Sequence, residues 1–178
     1  MKNGSNFIQQ LDDIIGELNK FSSRLCEFSQ PVISEYVDRF EDEFEVKLPN
    51  DYKYLLGITN GFSLMGDRIL GITWSDYEDD LCSVYKYEHN DVLIPQYKHL
   101  VPFCPDGGGN FYCFDTQVST NGGNSNRIVF WCSNYNYTDS DVPEITHDCL
   151  ADFINECVIG WTLEEYDYEG NKKEIKSK

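Results

Sequence analysis

Residues 104–116 read CPDGGGNFYCFDT, with three consecutive glycines between Asp106 and Asn110. Such a run can hold a phosphate, surround a metal ion or turn the chain between two strands. A phosphate-binding loop carries Lys and Ser or Thr after its glycines and leads into a helix, whereas Asn110 and Phe111 begin a strand-like segment here. A calcium loop needs oxygen ligands at alternate positions, and glycine supplies no side-chain oxygen. The stretch therefore predicts a turn between two strands, because Asp bonds its own backbone and glycine permits positive φ.

Short β-branched and aromatic runs, bounded by Gly, Asn and Pro, lie on both sides of this turn. They predict strands over residues 68–74, 100–104, 110–116 and 127–133. The turns that join them are too short for helical crossovers, so we expect an antiparallel sheet of about four to six strands. The polar stretch 117–126 and the residues after 161 are the candidates for disorder.

Apolar residues at three- and four-residue spacing predict helices before, within and after this group of strands. The predicted helices cover residues 6–26, 31–44, a short segment between Pro49 and Asn60, 79–88 and 146–160. Ser29 and Pro31 supply the start signal of the second helix, as a cap and a first-turn proline. Helices that come first, followed by strands and a final helix, indicate the α+β class.

The chain of 178 residues suits one domain with an ordinary hydrophobic core. It carries 31 acidic and 14 basic side chains, a formal net charge of −17. This charge disfavours nucleic acid and anionic membranes as partners, because binding them requires clustered Lys and Arg. The same negative field attracts a basic protein and speeds its encounter. We therefore expect a basic protein as the partner.

The N-terminal sequence and the cysteines indicate the cellular compartment in which the protein is expected. The chain does not open with a basic segment followed by an apolar core, and no apolar run approaches the roughly 20 residues that span a bilayer. The seven cysteines are an odd number, and none forms a C-x-x-C pair. These features predict a cytoplasmic protein whose free thiols serve as small core residues.

No residue pattern in the sequence specifies an active site, a metal site or a cofactor site. The three histidines, His89, His99 and His147, stand in no ligand pattern. His147 and Cys149 are two residues apart, which on a helix directs them to different faces. The 31 acidic residues allow many carboxylate pairs, so no single pair is informative. We therefore expect no enzyme, no metal and no cofactor.

Two acidic segments, at 74–80 and 134–141, also contain aromatic residues. Carboxylates that steer a basic partner and aromatics that anchor it form the composition of a protein-binding surface. Solvated loops on an acidic protein are the alternative, and the sequence leaves both open. Together with Asp106 of the glycine turn, the candidate partner-binding residues are Trp74, Asp76, Tyr77, Glu78, Asp79, Asp80, Tyr135, Tyr137, Asp139 and Asp141.

The order of these motifs resembles the SUKH superfamily, the Smi/Knr-type domain. In that family a helix with a glutamate leads into Leu-Pro, the next helix ends at Asn-Gly, and a later hairpin contains Asp-Gly-Gly-Gly. The chain departs from the pattern at Glu45 and Phe62, where the family usually has Gly, so we expect a helix C-cap without a left-handed glycine. The resemblance covers about residues 31–158 and is carried by Glu41, Leu48, Pro49, Tyr52, Leu55, Leu56, Asn60, Gly61, Pro102, Phe103, Asp106, Gly107, Gly108, Gly109, Tyr112, Asp115 and Trp131.

The resemblance implies an α+β domain over residues 31–160, with a helical extension at 1–30 and a charged tail at 161–178. Many bacterial relatives are immunity proteins that bind and neutralise a cognate toxin, often a nuclease, and eukaryotic relatives act as regulatory scaffolds. Neither use is catalytic. The resemblance and the acidic charge together favour an immunity protein for a basic toxin, with a scaffold or adaptor of the Smi/Knr type as the alternative.

Overall fold

The computed structural model of the protein describes residues 7–74, 80–138 and 140–174. Its helices are α1 (Phe7–Leu18), α2 (Ser34–Phe44), α3 (Asn50–Ile58), α4 (Leu81–Asn90), α5 (Leu150–Phe153) and α6 (Trp161–Glu165), and a π-helical segment (Ile154–Gly160) joins the last two. Its strands are β1 (Cys26–Phe28), β2 (Phe62–Leu64), β3 (Asp67–Ile69), β4 (Leu100–Pro105), β5 (Phe111–Thr120), β6 (Ser125–Trp131) and β7 (Glu144–His147). The predicted α+β class is confirmed.

The described strands form two antiparallel sheets, in the orders β1-β2-β3 and β4-β5-β6-β7. The backbone N–H of Leu70, just after β3, donates to the carbonyl oxygen of Phe103 in β4 at 2.8 Å. This hydrogen bond joins the two sheets at their neighbouring edges. In the larger sheet, β5 pairs along both β4 and β6, which leaves β4 and β7 at the two ends.

The four-stranded sheet is apolar on both faces. Its inner face packs against the helices, where Phe103 and Phe114 stack with ring centroids 4.0 Å apart. Tyr52 of α3 and Phe153 of α5 complete this main core. The outer face carries a smaller cluster centred on Trp131. A sheet with two apolar faces explains why its strands read as continuous hydrophobic runs.

The helix predicted over residues 6–26 is wrong beyond Leu18. The N–H groups of Leu25 and Cys26 both donate to the carbonyl oxygen of Ser22, which forms a turn. Cys26–Phe28 then pairs with β2 as a strand. Serine favours turns over helix interiors because its hydroxyl competes for backbone hydrogen bonds. The buried residues of α1 pack into the main core, so this helix is part of the same body.

Other predicted boundaries also shift because tertiary hydrogen bonds override local signals. The second helix begins at Ser34 rather than near Pro31, and the N–H of Ser29 donates to Thr59 Oγ1 at 3.1 Å instead of starting a helix. The C-terminal helix begins at Leu150, because residues 144–147 pair with β6. The strand predicted over 68–74 is wrong after Ile69. The helix predicted at 79–88 is observed as α4.

The described residues of the two candidates for disorder are ordered, so the prediction is wrong for them, and residues 175–178 of the second candidate lie outside the described residues. Residues 117–126 complete β5, form a short 3₁₀ turn and begin β6. After Trp161 the helix continues to Glu165, and the ring of Tyr168 lies 4.8 Å from that of Phe21.

Glu45 ends α2 in the left-handed conformation, with φ 54° and ψ 36°. The C-cap therefore lacks a glycine, as the sequence predicts, and Glu45 itself adopts the left-handed conformation. A left-handed L-residue brings its Cβ close to the following carbonyl oxygen, which costs about 1 kcal/mol. We expect Glu45→Gly to raise the free energy of unfolding by about 1 kcal/mol in urea denaturation. Glu45→Ala, which keeps the Cβ, is the control and should give no such gain.

Candidate interaction surfaces

The glycine turn is held by the carboxylate of Asp106. Its Oδ1 accepts hydrogen bonds from the N–H groups of Gly108 (2.7 Å) and Asn110 (2.8 Å), and its Oδ2 accepts one from Asn110 Nδ2 (2.7 Å). Gly107 and Gly109 have φ values of 76° and 94°, which side chains disfavour. Burial acts to raise the pKa of Asp106, but these hydrogen bonds outweigh it and lower the pKa. Both carboxylate oxygens of Asp106 therefore stabilise the turn, as the sequence predicts.

Trp74, from the first acidic segment, is packed against two helices rather than projecting from the surface. Its indole lies parallel to the ring of Phe44, with centroids 6.2 Å apart, and the guanidinium of Arg39 stands 3.8 Å from the indole centroid. Its Nε1 donates to the carbonyl oxygen of Tyr36 at 3.1 Å. Trp74 therefore fixes the chain that follows β3. The candidate residues Asp76, Tyr77, Glu78 and Asp79 lie outside the described residues.

Asp80 is buried and caps the N-terminus of α4. Its Oδ1 accepts from the N–H groups of Cys82 (2.7 Å) and Ser83 (3.3 Å), and its Oδ2 accepts from the Thr73 hydroxyl at 2.8 Å. The backbone N–H of Thr73 also donates to this carboxylate. A capping carboxylate satisfies N–H groups that lack a partner within the helix. The carboxylate of Asp80 therefore stabilises the fold.

The second acidic segment covers Trp131 on the outer face of the sheet. The ring of Tyr137 stacks on the indole at 4.0 Å with a 17° interplanar angle, and its hydroxyl accepts from the N–H of Cys132 at 3.0 Å. Tyr135 lies against Tyr137 and is 51% exposed. The carboxylate of Asp141 accepts from the Thr138 N–H at 2.7 Å and holds this loop. The candidate residue Asp139 lies outside the described residues.

Exposed apolar side chains follow this loop into β7. Val142 is 68% exposed and Ile145 is 52% exposed, although both are aliphatic. Together with Tyr135, Asp141 and Glu144 they form what we call the β7 surface. Sequence reasoning missed the two aliphatic residues, because each stands alone in a polar stretch. Exposed apolar side chains gathered in one place mark interaction sites more often than scattered ones do.

The sequence that contains the β7 surface is strongly acidic. Residues 128–171 contain ten Asp and Glu and not one Lys or Arg. Elsewhere, carboxylates are partly neutralised, as in the salt bridge from Lys86 Nζ to Glu43 Oε1 at 2.9 Å. Acidic residues without basic neighbours in the sequence are therefore concentrated in the segment that contains β7 and the C-terminal helix.

Comparison with known proteins places the fold in a family. The model of the SMI1 / KNR4 family (SUKH-1) matches residues 31–156. The chain belongs to the SMI1/KNR4 (SUKH-1) family. A solved structure, titled "Crystal structure of protein from Pseudomonas syringae pv. tomato", is similar at 13% identity with a TM-score of 0.57, covering 82% of this chain and 96% of that one. At this identity the similarity concerns the fold alone. No curated protein matches the chain.

The glutamate of the SUKH-1 motif organises the junction between α2 and α3. The buried Glu41 accepts hydrogen bonds from the Leu48 N–H (2.9 Å) and from Lys53 Nζ (3.0 Å) through Oε1, and from Lys47 Nζ (2.8 Å) through Oε2. Burial acts to raise its pKa, but these three hydrogen bonds outweigh it and lower the pKa. In this chain Glu41 therefore has a structural role.

The motif aspartate, Asp115, forms an ion pair beneath the outer face of the sheet. Its Oδ2 accepts from Arg127 Nη2 at 2.7 Å, and its Oδ1 lies 3.8 Å from His99 Nε2. The N–H of Gln117 also donates to Oδ1 at 3.1 Å. These residues line a cleft of about 360 Å³. Because the charge of Arg127 is already paired, the cleft has no strong preference for an anion.

His147 contacts Cys157, whereas the sequence analysis considered only Cys149 as its possible partner. The Sγ of Cys157 lies 3.9 Å from Nε2 of His147, and Glu156 Oε2 lies 3.0 Å from the same Nε2. A catalytic histidine uses one ring nitrogen for the nucleophile and the other for the orienting carboxylate. Here both contacts fall on one nitrogen, and burial raises the pKa of the Cys157 thiol to about 11. This arrangement therefore lacks the geometry of a nucleophilic dyad.

Proposed function

We propose that this SUKH-1 protein is a cytoplasmic immunity protein that binds a basic toxin domain and blocks its activity. The observation that carries the proposal is the β7 surface, where exposed aliphatic and aromatic side chains lie beside the carboxylates of Asp141 and Glu144. Apolar groups that leave water on binding supply affinity, and carboxylates supply steering and selectivity. A nuclease toxin suits this surface, since it needs basic side chains to hold its phosphate-rich substrate.

Two observations favour binding over catalysis. In the three ranges that the structure describes, no group of three or more His, Cys, Asp or Glu side chains is placed to hold a metal ion. The thiols of Cys104 and Cys113 are buried, which raises their pKa far above the usual range and keeps them protonated. A protonated thiol is a poor nucleophile. The proposed activity is therefore occlusion of a toxin and involves no reaction.

None of the described helices is long and apolar enough to cross a membrane.

The proposal is tested by coexpression with the toxin encoded beside this chain in its genome. Cells that carry both genes should grow, cells with the toxin alone should die, and the two proteins should copurify as a complex. Growth arrest despite normal expression of the folded protein would contradict the immunity function. Recovery of several unrelated partners without protection would instead indicate the adaptor class.

The affinity of the complex should depend on salt. Raising NaCl from about 50 to 500 mM should slow association with the inactivated toxin by about tenfold or more, because ions screen exposed charges beyond the Debye length. The dissociation rate should change much less, since it reflects the desolvated apolar contacts. Surface plasmon resonance at several salt concentrations measures both rates. An association rate that stays constant across this range would show that the acidic field does not steer the toxin.

A further inference from the structure

Strand β7 ends the four-stranded sheet and is paired on one side only. It follows β6 in the strand order, with Val129 opposite Ile145 and Phe130 opposite Glu144. No other strand within residues 7–74, 80–138 and 140–174 pairs with its outer side. An unpaired edge presents backbone N–H and C=O groups in register, which is a template for another strand.

The edge of β7 exposes apolar side chains. Natural edge strands are often short, bulged, charged or next to proline, which limits pairing with other chains. β7 has four residues, a register shift between Ile145 and His147, and Pro143 before it, so it has room for a short added strand only. In β7, Ile145 is exposed on the same sheet face as its partner Val129, and Val142 stands exposed three residues before it. Tyr135 is also exposed and lines a shallow cleft together with Val142 and Glu144, which extends the apolar strip. An added strand would place alternate side chains on this strip.

The charges at the edge select the kind of strand that can dock. Glu144 begins the strand and Asp148 follows it. Glu156 contacts His147, the last residue of the strand, and 74% of its side chain is exposed. A second copy of this chain, added edge to edge, would bring further carboxylates against these three. Like charges opposite each other destabilise a strand pair, whereas opposite charges stabilise it. The complementary occupant is therefore a strand that carries Lys or Arg.

We propose that the toxin docks by adding an extended, basic segment to the outer edge of β7. Backbone hydrogen bonds would supply part of the affinity, and alternate side chains would supply the specificity. Apolar side chains on one face of the segment contact Ile145 and Val142, and basic side chains near its ends contact Glu144 and Asp148. This inference rests on the proposed immunity function, because it names the part of this chain that the toxin contacts.

The first test compares two matched variants for binding to the toxin domain encoded beside this chain, inactivated at its own catalytic residue. Ile145→Lys should weaken binding by about tenfold or more, because it places a cation and a long flexible chain where the docked strand lies. Ile33→Lys is the control, since Ile33 is similarly exposed at 55% but lies before α2. It should change the affinity by less than about twofold, as substitutions outside a hot spot do. Thermal unfolding of both variants shows that each is folded.

The second test uses the unmodified protein and hydrogen–deuterium exchange. Amides of residues 144–147 should exchange at least about tenfold more slowly in the complex, because new interstrand bonds must open before exchange. If the complex forms but these amides exchange as in the free protein, edge pairing is refuted while the immunity function stands. If no complex forms, both proposals fail. A homodimer in light scattering that Ile145→Lys dissociates would show that a second copy occupies the edge and would also refute the proposal.

Discussion

Replacing Gly71 by alanine should lower the free energy of unfolding by about 3 kcal/mol. The added methyl group would overlap backbone atoms of Asn60, which cannot move aside as the end of a flexible side chain can. A Cβ at this position would lie 2.6 Å from Asn60 Oδ1 and closer still to the Asn60 carbonyl oxygen. The Asn60 side chain cannot move away, since its Oδ1 accepts from the Ile72 N–H at 2.7 Å and its Nδ2 donates to the Ile72 carbonyl at 2.9 Å. After β3, these two hydrogen bonds take the place of backbone pairing between strands, which explains why β3 ends at Ile69.

The matched control for this substitution is Gly57→Ala in α3. A Cβ at Gly57 meets no atom within 4 Å, and alanine is favoured over glycine in a helix by about 1 kcal/mol. Gly57→Ala should therefore stabilise the protein while Gly71→Ala destabilises it. Urea denaturation followed by tryptophan fluorescence measures both. Equal effects of the two substitutions would contradict the close approach of Asn60 to Gly71.

The parts of the fold that sequence predicts are those whose pattern is local. The strands around the glycine turn are long apolar runs, and the turn itself has the residues that its conformation requires. β1, β2 and β7 were missed because they span only three or four residues. Runs this short carry too little pattern to predict a strand, even where polarity alternates as in Cys26–Phe28, so each becomes a strand only through its partner. The end of α1 at Leu18 was missed for the same reason, because the short strand that follows, β1, forms only through its pairing with β2.

The candidate interaction residues divide in a similar way. Sequence identified the aromatic and acidic segment at 134–141, which does lie over the outer face of the sheet. It could not show that Asp80 caps a helix, because an aspartate in an acidic run gives no sign of its burial. Ile145 gave only a weak signal, as an isolated aliphatic residue two positions after Pro143. The absence of Lys and Arg from residues 128–171 was a stronger signal for an interaction surface. A count of charged residues along the sequence would have found it.

Two buried carboxylates, Glu41 of α2 and Asp51 of α3, differ in the sign of their pKa shift. Burial raises the pKa of Asp51, although the Ser125 hydroxyl and the Tyr52 N–H (2.8 Å) donate to its carboxylate. The pKa of Glu41 is lowered instead, because two lysines and a backbone N–H overcome its burial. The difference follows from charge, since neutral hydroxyl and amide donors surround Asp51 whereas two ammonium groups reach Glu41.

The two carboxylates should therefore contribute oppositely to the pH dependence of stability. Folded Asp51 holds its proton to higher pH than the unfolded chain does, so its contribution falls as pH rises from about 4 through its raised pKa. Glu41 stabilises the fold above its unfolded pKa, and this contribution is lost as pH falls through its lowered folded pKa.

The measurement is urea denaturation of the unmodified protein, Asp51→Asn and Glu41→Gln between about pH 3 and 7, where both carboxyl groups titrate. Glu41→Gln should cost about 2 kcal/mol at pH 7, because charge-assisted hydrogen bonds are lost, and progressively less as pH falls. The unfolding free energy of the unmodified protein minus that of Asp51→Asn should change in the opposite direction, so this difference should decrease as pH rises. Each variant is the control for the other, because a general acid effect on the fold would shift both differences in the same direction. Parallel slopes would therefore contradict the opposite environments of Asp51 and Glu41.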